Sequence, residues 1–417
     1  MFLAGIIPGP KEPPLTVINH YLGPLITEFL QLWNPGVHFS KTWGYPQGRH
    51  ILCALVLVVC DLLATRKVVA SGQHNHEHFC NLCYCTRSMH GYKNTEFHDW
   101  ERRTHADWLK TAETWLACET QAERDLQFSL TGIRWSELLR LPYFDIVRCV
   151  VVDPMHNLFL GLLKEHFMGL LGIDLPKEGK STVMTITLGP VPSDMNQKDK
   201  DGVEKLKTWL ELPFSSPQRR SQSEIRRTGA DTSTQHGHVL HSDDVAEIWS
   251  DIEQLLSPTW MTSIPSCLGS ASHGKLKADQ WRIAGTIHLP LSLIRLWGGT
   301  GAADDQVRSV RCRRILHVTM SLVSAIIVAT SHSVTTENAE VYLAYMLDYL
   351  NGVKALFPEY NFRPNHHMAL HIYDFLLSFG PVHSWWAFPF ERMIGILQRM
   401  PNNGKLGMQQ IFMAFLI

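Results

Sequence analysis

The stretch ILCALVLVVCD, residues 51–61, is apolar without a break from Ile51 to Cys60 and then ends in a carboxylate, Asp61. A strand with one face in water alternates polar and apolar residues, and this one does not. An unbroken Val- and Leu-rich run is the pattern of a strand buried on both faces, in a sheet flanked by helices. The run is too short to cross a bilayer as a helix. A carboxylate at the carboxyl end of such a strand stands where open α/β sheets place their chemistry, although an Asp there can also simply cap the helix that follows. Leu62–Ala70 has the composition of that helix.

A second segment repeats this arrangement. In RCVVVDPMH, residues 148–156, Arg148–Val152 reads as another buried strand, and Asp153-Pro154 opens a helix that runs to about Phe167. Asp at the cap and Pro in the first turn are a strong start signal. Working outward, Phe2–Ile7 reads as a short strand ended by Pro8. Thr16–Trp33 reads as an amphipathic helix, with Ile18, Leu22, Leu25, Phe29 and Leu32 on one face, Thr16 as a cap and Pro24 as a kink. Residues 95–130 should form one or two helices that stop near Gly132. Residues 177–242 turn polar, with one short helix expected at Val203–Leu210 and disorder elsewhere. Helices are expected at Asp243–Leu256, Lys277–Trp297, Val307–Ser331, Thr336–Leu356, Asn365–Phe379 and Phe388–Arg399, and the apolar end at Ile417 reads as helical. The fold class is therefore α/β. Residues 1–175 form a partial core with a Cys/His-rich loop at 71–92, residues 176–242 a polar insertion, and residues 243–417 a helical region.

The chain has 417 residues and a formal net charge of -1, so no global basic field marks it for nucleic acid. Its nine cysteines come without a secretory signal, because Met1–Pro10 is short and broken by prolines. That favours a reducing, intracellular compartment over a disulfide framework. No phosphate-binding loop or nucleophile elbow is present.

Four places carry candidate chemistry. Cys80-x-x-Cys83 can put two thiolates on one tetrahedral ion. A full structural site needs two more ligands, and Cys85, His90 or residues distant in sequence could supply them; His74, His76 and His78 also lie close by. Asp153-x-x-His156 reads either as a helix cap with a packed His, or as a metal or phosphate contact. Glu391 lies in an aromatic cluster at a helix start, WWAFPFER, residues 385–392, as half of a salt bridge or as a metal-binding carboxylate. His367 and His371 have i, i+4 spacing, with His366 beside them, but without an HExxH pattern they read as packing or hydrogen-bonding residues. The basic residues Arg219, Arg220, Arg226 and Arg227 could touch a DNA backbone, or belong to a solvated linker.

Taken together, FLAGIIPGPKEP, LWNPGVHF, ALVLVVCDLLATRKVVA, HFCNLCYCTRSMHG, RWSELLRLPYFD, VVVDPMHNLFLGLLKEHF, SASHGKLKADQWR, LPLSLIRLWG and the long string from Pro364 to Arg399 resemble the transposases of CACTA (En/Spm-type) elements, in the expected order across most of the chain. The resemblance implies an RNase H-like core with a DDE-type acidic triad and a large helical insertion. It implies Mg²⁺ or Mn²⁺ as catalytic ion, structural Zn²⁺, transposon-end DNA as partner, a homo-oligomer, no membrane and a nuclear location. By this resemblance Asp61 is the second acid of the triad and Glu391 the third. Cys80 and Cys83 match the family's CxxC, and Asp153 with His156 its C/D-x-x-H element, grouped here as one zinc-type motif. The family's first Asp belongs upstream of FLAGIIPGP, so an incomplete site is expected and, with it, little strand cleavage by this chain alone. A complete triad would hold two divalent ions for phosphodiester cleavage and strand transfer. The alternative is a non-enzymatic, zinc-stabilised DNA- or protein-binding remnant.

Overall fold

A computed structural model describes residues 3–8, 13–14, 17–173, 239–270, 274–299, 306–399 and 411–416. The architecture is mixed α/β and mostly helical. β1 (Leu3–Pro8) pairs antiparallel with β6 (Ile411–Leu416), so the apolar end read as helical is a strand. Helix α1 (Ile18–Trp33) buries Ile18, Leu22, Ile26 and Phe29 and contains Pro24; Thr16, its expected cap, lies outside the described residues. β2 (Val37–Phe39) and β3 (Arg49–Ile51) form an antiparallel hairpin.

The run that suggested a long central strand pairs only at its two ends, and Ile51 closes β3 opposite Val37. β4 is Val58–Cys60, parallel to β5, Val150–Val152. Between β3 and β4, residues 52–57 have no regular structure, and Leu52 and Val56 are 58% and 64% exposed. Hydrophobicity dictates a wish for burial but supplies no pairing partner, and only Ile51 and the last three residues find one. Among the described residues the sheets are two-stranded. That is less than the sheet of an RNase H-like core.

Between these parallel strands runs the crossover that parallel pairing demands. It begins with α2 (Leu62–Val68), continues through the Cys/His-rich loop, and includes α3 (His105–Ala117) and α4 (Gln121–Thr131). Thr120 and Glu123 form a capping box at the start of α4, and Gly132 ends it in the left-handed conformation, φ 71°. After β5, the wide-turned helical segments Met155–Leu163 and Glu165–Leu170 run on through Lys164 as α5, almost wholly buried. Leu240 N donates to Leu171 O at 3.0 Å, so the described chain resumes beside the end of α5. The expected helix at Val203–Leu210 and the basic residues Arg219, Arg220, Arg226 and Arg227 lie outside the described residues.

The helical region follows the sequence reading closely: α6 (Ser242–Gln254), α7 (Ala278–Ile283 continuing through Ala284–His288 and Leu289–Trp297), α8 (Gln306–Ala329), α9 (Thr336–Leu356), α10 (Pro364–Phe379) and α11 (Phe388–Gln398). Residues 308–329 of α8 are long and apolar enough to span a membrane, with 56% of that apolar window buried against the protein itself. α8 and α9 form an antiparallel pair, and α10 packs on α9, α5 and β5. One core joins the α/β part to the helices. α10 is thus the element that brings the C-terminal half against the ends of β4 and β5.

Candidate metal centre and the acidic pocket beside it

The Cys/His-rich loop is held by arginines rather than by regular structure. Arg103 Nε donates to the carbonyls of Cys80 and Cys83, at 3.1 and 3.0 Å, and a second buried guanidinium, Arg66, donates to Phe79 O at 2.9 Å. These contacts fix the CxxC turn so that both thiols point inward; Cys80 and Cys83 are 2% and 0% exposed. Facing them, α10 presents His367 and His371 one turn apart on its buried side.

The four donor atoms converge within 4.8 Å of one another. Cys80 Sγ lies 3.4 Å from His371 Nε2, Cys83 Sγ 3.4 Å from His367 Nε2, and the two Nε2 atoms are 3.3 Å apart. Ligands on a tetrahedral zinc, with Zn–S about 2.3 Å and Zn–N about 2.0–2.1 Å, stand roughly 3.5 Å apart for an S, N pair and roughly 3.3 Å for an N, N pair. The donors therefore fit one small tetrahedral ion. Burial raises the Cys80 thiol, but its hydrogen bond with Cys83 and the imidazoles of His371 and His367 outweigh that and hold it well below the ordinary value. Cys83, buried beside that thiolate, is pushed up. Around it, Trp100 stacks on His367 at 4.3 Å between ring centroids.

This set revises the sequence reading in two ways. His367 and His371, read as packing residues, complete the CxxC. The ligands expected nearer at hand do not: Cys85 hydrogen-bonds Cys83, and His90 Nδ1 accepts from Thr86 N at 3.0 Å. His76 Nδ1 accepts from His78 N at 3.1 Å. Asp153 and His156 are not in the donor group.

Asp153 has other work. β4 and β5 pair Cys60 with Val152, so Asp61 and Asp153 follow at the same level on neighbouring strands. Asp153 is 3% exposed and its carboxylate takes four N–H groups: Met155 N (3.2 Å), His156 N (3.0 Å), the His156 ring at Nδ1 (2.5 Å) and, from far along the chain, Ala387 N (2.8 Å). A carboxylate so saturated has no lone pair left for a metal. It acts as a clamp, tying the residue before α11 to the start of α5. Because α11 carries Glu391, the clamp also sets where Glu391 emerges: its Oε1 lies 4.0 Å from His156 Nε2. Asp61 caps α2 through Ala64 N at 2.7 Å. Burial opposes protonation of His156, but Asp153, then Asp61 and Glu391, overcome it and raise its affinity for a proton. Burial, with Asp61 and Asp153 beside it, pushes the Cys60 thiol up to about 12.

A cavity of about 20 Å³ opens here, lined among others by Thr65, Asn81, Asp153, His156, Asn157 and Asn365. It has room for one water-sized occupant. Met368 also lines it, and its Sδ is 4.0 Å from Cys80 Sγ, so the pocket and the Cys/His cluster are back to back. The structure thus brings Asp153, His156 and Glu391 together, with Asp61 at the end of the neighbouring strand, and sets Cys80 and Cys83 beside them. No model of a known protein family and no curated protein matches this chain.

Proposed function

We propose that the chain is a zinc-stabilised protein of the transposase type it resembles, with Asp61 and Glu391 as carboxylates for the divalent ion of phosphodiester chemistry on DNA. The observation that carries this reading is Glu391, delivered by α11 from far along the chain to 4.0 Å from the Asp153-held imidazole of His156, at the start of the helix that follows β5, the strand paired with the one that ends before Asp61. Carboxylate oxygens suit hard Mg²⁺ or Mn²⁺. Such an ion polarises a phosphoryl oxygen and stabilises the charge that develops on it. The chain's own part is to position: β4 and β5 fix Asp61, and Asp153 fixes the approach of Glu391. The Cys2His2 cluster, on the far side of Met368, ties the loop to α10 and has the closed ligand set of a structural Zn²⁺ site.

The second reading, a zinc-stabilised DNA- or protein-binding module without catalysis, has its own support. Among the described residues the Cys80–Cys83–His367–His371 group is the one whose donors already converge. One preparation tests both readings. Metal analysis of the purified chain is expected to find one zinc per molecule. Supercoiled plasmid incubated with Mg²⁺ or Mn²⁺ is expected to be bound with little nicking. Robust nicking that Asp61→Ala abolishes would show a complete enzyme, whereas failure to bind DNA at all would remove the transposase reading.

A further inference from the structure

We propose that the β2–β3 hairpin is an arm that captures unpaired DNA, with Trp43 at its tip as a platform on which a base stacks; the inference rests on the reading of the chain as a DNA-handling protein given above. Four observations lead there. First, the arm is fixed at its root. Gly36 N donates to Gln31 O at 2.8 Å and Cys53 N to Leu32 O at 2.9 Å, which ties both ends of the hairpin to the last turn of α1. Just beyond, Leu55 N donates to the Tyr143 hydroxyl at 3.2 Å. Second, the tip is a tight turn. Thr42 N donates to Tyr45 O at 3.1 Å and Tyr45 N to Thr42 O at 3.2 Å, so Trp43 and Gly44 are the two residues between a paired Thr42 and Tyr45. Trp43 is fully exposed. A backbone closed on both sides of it leaves little backbone freedom to lose on binding.

Third, the aromatic surface extends down from the tip. Phe39 and Tyr45 are exposed, and Arg49, paired across the hairpin with Phe39, lies over the Tyr45 ring at 4.4 Å. Clustered exposed apolar side chains mark an interaction surface. Fourth, charge selects the partner. No Asp or Glu occurs from Phe29 to Cys60. Lys41 and Arg49 have no carboxylate partner among the described residues. Cations beside open aromatic faces are the equipment of single-strand binding, in which phosphates meet the charges and bases stack on the rings. A duplex keeps its base faces inside its own stack, so the platform fits an unpaired strand.

The test uses the full chain loaded with zinc and follows the anisotropy of three labelled probes of equal length: an oligothymidylate, an abasic strand and a blunt duplex. Trp43→Ala is expected to weaken the oligothymidylate about tenfold, as loss of one stacked base would, and to leave the abasic strand, the duplex and Tm unchanged. Trp43→Phe should recover most of that loss. Replacing Lys41 and Arg49 by Gln should flatten the salt dependence of oligothymidylate binding by roughly 0.7 in log–log slope for each cation removed. Oligothymidylate affinity unchanged in Trp43→Ala overturns the inference; if the duplex is still bound, the DNA reading stands without the arm. An equal loss on the abasic strand also overturns it, because the indole would then act without a base. If Trp43→Ala instead splits a dimer seen by light scattering, the tip covers a second copy of this chain and the inference falls. An RNA strand bound tenfold more tightly than the DNA strand would assign the tip to RNA and overturn it as well. No binding of any probe removes the arm and the DNA reading together.

Discussion

His371 offers two nitrogens, and each has a different partner. With Nε2 turned to the thiols, Nδ1 faces the Arg102 guanidinium at 2.8 Å and Asp374 Oδ2 at 3.3 Å, and Arg102 also donates to that carboxylate at 2.8 Å. Asp374 is 40% exposed, so as a surface ion pair it would contribute only about 0–1 kcal/mol to stability. As the partner of a metal ligand it has a larger effect, because such contacts set tautomer, orientation and basicity. Asp374→Ala is accordingly expected to weaken zinc about 10–100-fold with little change in the stability of the metal-free protein. Competition against a chromophoric chelator measures this, and unchanged affinity would mean that Asp374 is only a surface pair. The CxxC half of the centre could be read from spacing. The histidine half could not. His367 and His371 show ordinary i, i+4 spacing, and the thiols they meet are 284 and 291 residues away.

At the scale of elements, α5 and α10 come together closely enough to need a glycine. A Cβ on Gly161 would lie 2.3 Å from Asn365 Nδ2 and 3.0 Å from the backbone oxygen of His156. The same junction is bridged by Asn157 Nδ2 donating to Asn365 O at 3.1 Å. Gly161→Ala should therefore push the start of α10 away from α5, at a cost of about 1–3 kcal/mol. In thermal denaturation this is a Tm lower by several degrees. A Tm at or above that of the unchanged protein would argue against so close a contact, since alanine alone favours a helix. Element identity was legible here: Asp153-Pro154 opened a helix running to about Phe167, and Asn365–Phe379 read as helical. Their mutual approach was not, because a glycine in a helix says that something comes near without saying what.

Across the whole molecule, the polar groups buried between helices make stability depend on pH. His166, on α5, is 1% exposed and lies between Thr319 of α8, at 2.9 Å, and Tyr349 of α9, at 3.4 Å. Burial, helped by the nearby His366, lowers its pKa from 6.5 to about 3. The sign follows from linkage: between those values the unfolded chain binds a proton that the folded chain refuses. The contribution of His166 is thus fully present above about pH 6.5 and is lost as pH falls toward 3. Tm is expected to drop between pH 7 and pH 5.5 in zinc-loaded protein, and His166→Gln should flatten that slope while lowering Tm at pH 7. A slope unchanged by the substitution would place the titrating group elsewhere.

Sequence alone determined the helices, because a 3.6-residue apolar period and its caps are local properties. Ser242–Gln254, Thr336–Leu356 and Pro364–Phe379 lie within a residue or two of their expected bounds. It also determined that Asp61 and Asp153 follow apolar runs and that Cys80 and Cys83 form a turn able to hold an ion. Tertiary structure decided what these residues do. Pairing, not hydrophobicity, left the run Ile51–Cys60 in sheets only at Ile51 and at Val58–Cys60. Four converging donors turned Asp153 from a candidate ligand into a clamp. The packing of α10 against the Cys/His loop gave the CxxC its histidines. In each case the deciding contact joins segments far apart in sequence. No local pattern records such a contact, because the free energy that selects it belongs to the packed core as a whole.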